Sequence, residues 1–146
     1  MTLRVDRLTS DQIPDALSGL AALRIEVFRS WPYLYDGDIA YEERYLATYA
    51  DSPGAIIVAV RDGPRLVGAA TGAPLGDHDA AFADPLIAAG IDPTTVFYCA
   101  ESVLLPAYRG QGLGHRFFDA REAHARDLGL RTSAFCAVIR PADHPC

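Results

Sequence analysis

A glycine-rich stretch between a predicted strand and a predicted helix carries the clearest chemistry in the sequence. It covers residues 104–116 and places Gly110, Gly112 and Gly114 at alternate positions, which removes side chains where a turn leads into a helix. The first backbone N–H groups of a helix have no partner within it, and the helix macrodipole adds positive charge at the same end. A phosphate or pyrophosphate accepts hydrogen bonds from these N–H groups and carries the negative charge that the helix dipole favours. The stretch therefore predicts an anion site, with an ordinary glycine turn as the alternative.

Two common nucleotide-binding loops do not fit the spacing. A P-loop requires a Lys followed by Ser or Thr, and the sequence contains no Lys. The Rossmann fingerprint requires a glycine three residues after its second glycine, but His115 follows Gly112 at that offset and Phe117 follows Gly114. Neither of these loops is therefore predicted.

The spacing Arg109-x-x-Gly112-x-Gly114 resembles the Q/R-x-x-G-x-G/A signature of the GNAT superfamily of N-acetyltransferases, and residues 103–108 resemble the family's usual approach to that loop. The resemblance implies an acyl-CoA N-acyltransferase fold and acetyl-CoA as acyl donor, with no metal. It implies acetyl transfer to a primary amine of a small molecule or peptide, by direct attack in a ternary complex. It also implies a cofactor site that pairs one strand with the pantetheine arm and binds the pyrophosphate through the following glycine loop (residues 109–115): Val103, Leu104, Leu105, Arg109, Gly110, Gln111, Gly112, Leu113, Gly114 and His115.

Glu101 is the residue that we predict to act as the general base. It interrupts an otherwise apolar predicted strand just before the glycine loop. An amine must lose a proton during acetyl transfer, and a carboxylate in a partly apolar cleft has a raised pKa suited to accept it. The resemblance agrees, because many relatives carry an acidic residue at this offset that acts as base or binds the amine. The alternative is a strand-edge glutamate that faces water.

Aromatic residues near the end of the first predicted helix are candidates for the acceptor site. In the superfamily this region usually forms one wall of the acceptor pocket, so the resemblance implies that Phe28, Tyr33 and Tyr35 bind substrate. Packing roles are the alternative. Aromatic walls with few charges suit an apolar or aromatic amine. Three tyrosines at helical spacing in the next helix are predicted to pack in the core: Tyr41, Tyr45 and Tyr49.

The histidines and cysteines are predicted to have structural or solvent-facing roles. His78 stands between two aspartates, but adjacent side chains diverge and a fourth ligand is missing, so a helix cap is predicted there rather than a metal site. The other histidines are predicted to face solvent: His115, His124 and His144. The odd number of cysteines and the absence of metal-binding spacings predict two buried thiols and one exposed terminal thiol: Cys99, Cys136 and Cys146.

The elements that must position these residues follow from hydrophobic periodicity. Period-two segments predict strands at 2–8, 55–60, 65–71, 94–105 and 132–139, the second and third joined as a hairpin through Asp62-Gly63. Period-3.6 segments predict one helix from the capping box at Thr9 and Gln12 to Val27, a second after Asp38, and a third over 112–128. The order of these strands and helices along the chain predicts an α/β fold with a mixed, mainly antiparallel central sheet flanked by helices.

Composition and charge limit the function further. The chain has 146 residues, 50% of them hydrophobic and 22% charged, as in one packed domain, 1–146. The longest apolar run, 55–60, is far shorter than the roughly 20 residues of a membrane-spanning helix. The net charge of −6 disfavours binding of DNA or RNA and suits a cationic small substrate. We therefore expect a cytoplasmic protein with no membrane or nucleic-acid partner.

Two features depart from the family pattern. Residues at about 72–93 form an insertion that is expected to carry no core strand, and it would cover the acceptor site or make an oligomer contact. Relatives continue beyond the last predicted strand with a helix and two strands, and a Tyr on that helix often protonates the leaving thiolate. We expect that the sequence is a fragment, or that these elements are absent or supplied by a partner chain in a homodimer. In each case the general acid is unassigned. The alternatives to an enzyme are a degenerate, non-catalytic CoA-binding or regulatory module and a structural dimer subunit.

Overall fold

The computed structural model describes residues 3–29, 36–78 and 80–136. Five strands form one sheet in the order β1-β2-β3-β4-β5. Neighbours are antiparallel from β1 to β4, whereas β5 is parallel to β4. The strand bounds are β1 (Leu3–Leu8), β2 (Ile56–Asp62), β3 (Arg65–Pro74), β4 (Val96–Leu104) and β5 (Thr132–Ala134). The predicted α/β class with a mixed, mainly antiparallel sheet is confirmed.

Helices cover both faces of the sheet. Their bounds are α1 (Leu17–Phe28), α2 (Ile39–Ala50), α3 (Asp84–Ala88) and α4 (Leu113–Asp127). Successive side chains of a strand point to opposite faces, and in β4 the Phe97 ring contacts His124 of α4 whereas Tyr98 contacts His78, whose ring meets Tyr49 of α2. The helices α1 and α2 contact each other on this second face. β2 is covered on both faces, which explains its uninterrupted apolar run.

Several local predictions hold. The Asp38 side chain accepts a hydrogen bond from Ala40 N (2.9 Å) and caps α2. Gly63 adopts φ +56° in the turn of the β2–β3 hairpin, and Gly129 adopts φ +79° just after α4. The first helix begins later than predicted, because two 3₁₀ turns fill residues 10–16 before α1. Pro14 explains the delay, since it lacks a backbone N–H and restricts the residue before it.

The predicted insertion begins later than the composition indicated. β3 continues to Pro74, so residues 72–74 belong to the sheet, and the segment that follows forms 3₁₀ turns and α3 before β4 starts at Val96. Gly72 suits a strand here because the Phe97 ring occupies the space of its missing side chain, where a Cβ would lie 2.5 Å from Phe97 Cε1. β5 ends at Ala134, and predicted strand residues 137–139 lie outside the described residues.

Two burial predictions are wrong. Tyr41 and Tyr45 are 54% and 39% exposed, and only Tyr49 of the predicted core stripe is buried. A spacing of four residues drifts by about 40° per step around a helix with 3.6 residues per turn, so the stripe leaves the core face of α2. Cys99 is buried as predicted, whereas Cys136 is exposed because it follows the short edge strand β5.

Candidate active site

A β-bulge in β4 forms the centre of the candidate site. Ala70 pairs with Ser102 and Gly72 pairs with Cys99, so Ala100 and Glu101 together face Thr71 alone. A bulge of this kind bends its strand and leaves groups out of the ladder. Thr71 Oγ1 accepts a hydrogen bond from Glu101 N (3.2 Å) and replaces one lost ladder bond.

Arg121 of α4 holds the bulge from one face of the sheet. Its Nη1 donates to the carbonyl oxygens of Thr71 (3.2 Å) and Glu101 (3.1 Å), and its Nη2 donates to Ser102 Oγ (2.9 Å). The side chain is only 1% exposed and lies 4.4 Å from the centroid of the Phe118 ring. Burial lowers the pKa of Arg121. No carboxylate in the described ranges forms an ion pair with it, so main-chain carbonyls are its principal partners.

Arg24 of α1 holds the Glu101 side chain on the opposite face. Its Nη1 donates to Glu101 Oε2, and its Nε donates to Glu42 Oε2 (2.5 Å). Phe28 and Tyr45 flank the guanidinium, with ring centroids 5.1 and 5.0 Å from its Cζ. Two carboxylates therefore meet the same guanidinium. The Glu101 side chain is 22% exposed, so its carboxylate lies within reach of solvent.

Sequence reasoning singled out Glu101 but missed the groups around it. It placed the carboxylate in a partly apolar cleft, whereas the structure puts it in an ion pair with Arg24. The sequence does contain a signal for the role of Arg24, because this charged residue stands among apolar residues of α1 that are buried: Leu20, Leu23 and Ile25. Arg121 has a similar signal in α4. Polar residues on a buried helix face require partners, although the sequence does not say which.

The glycine loop presents unused backbone donors. The amides of residues 110–115 donate to no acceptor in the described part of the chain, and no side chain caps the start of α4. Gly110 and Gly112 adopt φ +78° and +79°, and a Cβ on either, or on Gly114, would have no atom within 4 Å. The amides therefore border open space. A row of free donors at a helix N-terminus matches what a diphosphate needs, so this segment fits the predicted ligand.

Two side chains fix the start of the glycine loop. Tyr108 OH donates to Asp62 Oδ2 (2.7 Å) and ties the start of the loop to the β2–β3 hairpin. Arg109 Nε donates to the carbonyl oxygen of Leu104 (3.0 Å), the last residue of β4. The loop therefore keeps a defined position relative to the end of β4.

One edge of β4 is open next to the bulge. β5 pairs only with residues 96–98 of β4, and among the described residues no strand pairs with this edge beyond Tyr98. Leu105 N donates to Val67 O (2.9 Å), so its amide faces β3 and cannot pair with a pantetheine arm, contrary to the sequence-based expectation. Backbone groups alternate in direction along an antiparallel strand, so Val103 also faces β3 whereas Leu104 faces the open edge.

The remaining predicted site residues are distributed as follows. Phe28 lies beside Arg24, and Tyr33 and Tyr35 lie outside the described residues. His78 packs its ring 4.8 Å from the Tyr98 ring instead of capping a helix with its side chain. Among the described residues no group of three His, Cys, Asp or Glu side chains is arranged to hold a metal ion.

His124 is not solvent-facing as predicted. Its Nε2 lies 2.9 Å from the carbonyl oxygen of Gly54, and its ring packs against Phe97. His115 is exposed, as predicted, and His144 lies outside the described residues. No helix among the described residues has the length and apolar character needed to cross a membrane.

Comparisons with known proteins place the chain in a family. The model of the acetyltransferase (GNAT) family matches residues 20–145. A search of curated proteins gives no match. The fold is similar to that of the aminoglycoside N-acetyltransferase AAC(6')-Iy in complex with CoA, with a TM-score of 0.68, 14% sequence identity, and coverage of 94% of this chain and 78% of that chain.

Two further solved structures share the fold. The ribosomal-protein-alanine N-acetyltransferase from Brucella melitensis biovar Abortus 2308 matches with a TM-score of 0.62 and 16% identity over 97% of this chain and 85% of that chain. An aminoglycoside acetyltransferase from an uncultured soil metagenomic sample, in complex with sisomicin, matches with a TM-score of 0.61 and 15% identity over 93% and 78%. From the family match, this chain belongs to the GNAT acetyltransferase family and is an acetyltransferase.

Proposed function

We propose that this acetyltransferase moves the acetyl group of acetyl-CoA to the primary amine of a small molecule, by direct attack in a ternary complex. The observation that carries the proposal is the row of amides at residues 110–115, which have no acceptor among the described residues. This row follows directly on a strand with an open edge and an acidic side chain at its bulge.

We assign the binding of the acyl donor, acetyl-CoA, to backbone groups. The amides of the glycine loop bind the pyrophosphate, and the nearby guanidinium groups of Arg109 and Arg116 add positive charge. The backbone of Leu104 faces the open edge of β4, and we assign its N–H to the carbonyl of the thioester. When bound, acetyl-CoA supplies an acetyl group activated as a thioester.

Glu101 is assigned as the group that accepts the proton of the amine. Its carboxylate is partly exposed, and its negative charge attracts an ammonium ion. Arg24 fixes one carboxylate oxygen, which leaves the other to the amine or to a bridging water.

Direct attack is favoured over an acetylated cysteine. Cys99 is buried, and its burial raises the pKa of the thiol, so little of the nucleophilic thiolate forms there. Cys99 also faces α4, whereas the bulge turns the Glu101 carboxylate to the opposite face of the sheet, towards α1.

A CoA-binding module without turnover is the second candidate. The observation that favours it is the ion pair between Arg24 and Glu101, because a carboxylate already held by a guanidinium also suits a purely structural role.

Calorimetry followed by a turnover assay separates the candidates. We expect acetyl-CoA to bind the full chain and CoA to be released when a panel of primary amines is added. Binding without release from any amine would support the non-catalytic module. No heat of binding would contradict both assignments, because both depend on the glycine loop.

A further inference from the structure

We propose that Ser102 is a further catalytic residue, whose hydroxyl is oriented by Arg121 and donates a hydrogen bond to the sulfur of CoA as the thioester breaks. The inference rests on the proposed function and deepens it, because that proposal assigns the proton acceptor but not the group that stabilises the leaving thiolate. The sulfur becomes negatively charged in this step, and a fixed donor aimed at developing charge lowers the barrier of a reaction.

The Ser102 hydroxyl offers a free hydrogen at the surface. Ser102 is the exposed residue that follows Glu101 in β4. Its Oγ accepts a hydrogen bond from Arg121 Nη2 (2.9 Å), which fixes the oxygen and leaves the hydroxyl hydrogen for another acceptor. None of the described residues accepts that hydrogen. The hydroxyl is therefore able to donate to a ligand.

Arg121 brings to this hydroxyl a positive charge that no carboxylate in the described ranges neutralises by an ion pair. The arginine side chain is almost fully buried, where electrostatic interactions are stronger than in water and a ligand cannot contact the guanidinium directly. The hydrogen bond from Nη2 polarises the Ser102 O–H and makes it a stronger donor to an anion. The pair therefore favours the charged sulfur over the neutral thioester.

Ser102 and the Leu104 amide belong to the same open edge of β4. Beyond the bulge the pairing with β3 is regular, from Ala70 with Ser102 to Gly68 with Leu104. Backbone groups alternate in direction along an antiparallel strand, so residues 102 and 104 both turn theirs to the open edge. The two residues are roughly 7 Å apart along the strand. A thioester fits this span when its oxygen and its sulfur each accept a hydrogen bond of about 3 Å.

The side chains of Ser102 and Glu101 lie on opposite faces of the sheet. The Glu101 carboxylate binds Arg24 of α1, whereas Ser102 Oγ binds Arg121 of α4. The glycine loop leads directly into α4, so a pantetheine arm that begins at this loop reaches the open edge from the α4 face. We therefore assign the leaving sulfur to the side of Ser102 and the incoming amine to the side of Glu101.

The step balances without a proton from Ser102. As the amine nitrogen forms its bond to the acetyl carbon, the C–S bond breaks and its electron pair passes to sulfur, while Glu101 accepts the amine proton. Ser102 keeps its own proton and gives the sulfur only a hydrogen bond. Water protonates the sulfur after CoA is released, and Glu101 returns its proton to solvent.

The ionisation of bound CoA tests the inference without any turnover. The ultraviolet absorbance of the thiolate is followed as the pH is raised, as the difference from the complex with desulfo-CoA, which lacks the sulfur and cancels the tyrosine signal. A hydrogen bond to a charged group is stronger than one to a neutral group, so Ser102→Ala should raise the pH of half-ionisation by about 1 unit. Ser102→Thr keeps the hydroxyl and should match the parent. Ser133→Ala is the control, because Ser133 is an exposed serine of the edge strand β5.

Single-turnover kinetics give a second test. The acceptor is whichever of 2-phenylethylamine, 1-hexylamine, spermidine and kanamycin the parent acetylates fastest. We expect Ser102→Ala to slow acetyl transfer about 10-fold, the rate factor that corresponds to 1 pH unit of thiolate stabilisation. The Kd of acetyl-CoA should stay within about 2-fold, because the sulfur of the intact thioester is uncharged. Ser102→Thr should restore the rate, and Ser133→Ala should not change it.

The outcomes separate this inference from the proposed function. Equal ionisation of CoA in the parent and in Ser102→Ala would overturn the inference. A loss of rate in Ser102→Thr as large as that in Ser102→Ala would also overturn it, because the hydroxyl would then not be the group that matters. In both cases turnover by the parent would uphold the proposed function. A parent that acetylates none of the four amines would contradict the proposed function itself.

Discussion

The bulge in β4 and the glycine loop that follows this strand differ in how the hydrogen bonds of their polar groups are satisfied. At the bulge, the carbonyls of Thr71 and Glu101 bind Arg121, the amide of Glu101 binds Thr71, and the carboxylate binds Arg24. In the glycine loop, the amides of residues 110–115 have no acceptor in the described chain. The protein therefore supplies the partners of the bulge, whereas water or a ligand supplies those of the glycine loop.

This difference separates two tasks of an acetyltransferase. A base must be held in a fixed position, and rigid surroundings with satisfied hydrogen bonds provide that. A nucleotide must enter and leave, and donors that water satisfies in the free protein can exchange water for phosphate. Changes at the bulge should therefore alter stability or proton transfer, whereas changes in the glycine loop should alter the affinity for acetyl-CoA.

The largest effect is expected from removing the buried arginine. Arg121→Met leaves the carbonyls of Thr71 and Glu101 without their donor, and unsatisfied buried groups cost about 1–3 kcal/mol each, so we expect a loss of about 3 kcal/mol in the free energy of unfolding. Urea denaturation measures it. Arg126→Met is the control, since Arg126 is exposed on the same helix. Equal stability of the two variants would show that the bulge does not need Arg121.

The second largest effect is expected from changing Glu101, the carboxylate at the bulge. Glu101→Gln keeps the shape of the residue but removes the proton acceptor, and general-base catalysis contributes about 100-fold or more to the rate. We expect kcat to fall by about that factor while the Kd of acetyl-CoA stays unchanged. Glu122→Gln on α4 is the matched control. A Glu101→Gln variant with full activity would remove Glu101 from the mechanism.

Two glycines with the same backbone conformation test the glycine loop. Gly112 and Gly129 flank α4 at opposite ends, both adopt φ +79°, and neither has an atom within 4 Å of a Cβ position. Alanine at either position costs about 1–2 kcal/mol of stability through the left-handed conformation. Only Gly112→Ala adds a methyl beside the free amides, so only it should weaken acetyl-CoA binding, by about 10-fold or more in calorimetry. Equal affinities in the two variants would place the pyrophosphate elsewhere.

The smallest effect concerns pH and His78, whose ring packs against Tyr98. Burial lowers the pKa of His78 below its usual 6.5, so the unfolded chain binds a proton at a higher pH than the folded chain does. Stability should therefore fall as pH drops from about 6.5 towards the lowered pKa. His78→Phe should lose less thermal stability than the parent between pH 7 and pH 5. An identical decrease in Tm in both proteins would show that His78 does not cause it.

Local patterns explain what the sequence could predict. The glycine loop, the Asp38 cap and the hairpin turn depend on residues close together in the chain, so spacing alone identifies them. The surroundings of Glu101 depend on distant residues, since Arg24 lies 77 positions away in sequence. The bulge also shifts the register of β4, and with it the direction of the backbone at Leu105, which no composition pattern records.

The partners of Arg121 have a consequence for how this protein can change. The guanidinium binds the main-chain oxygens of residues 71 and 101, and every amino acid at those positions offers the same oxygen. The support of the bulge is thus independent of the side chain that it displays. Evolution or engineering can exchange that side chain, and with it the reactivity of the site, without rebuilding the scaffold underneath.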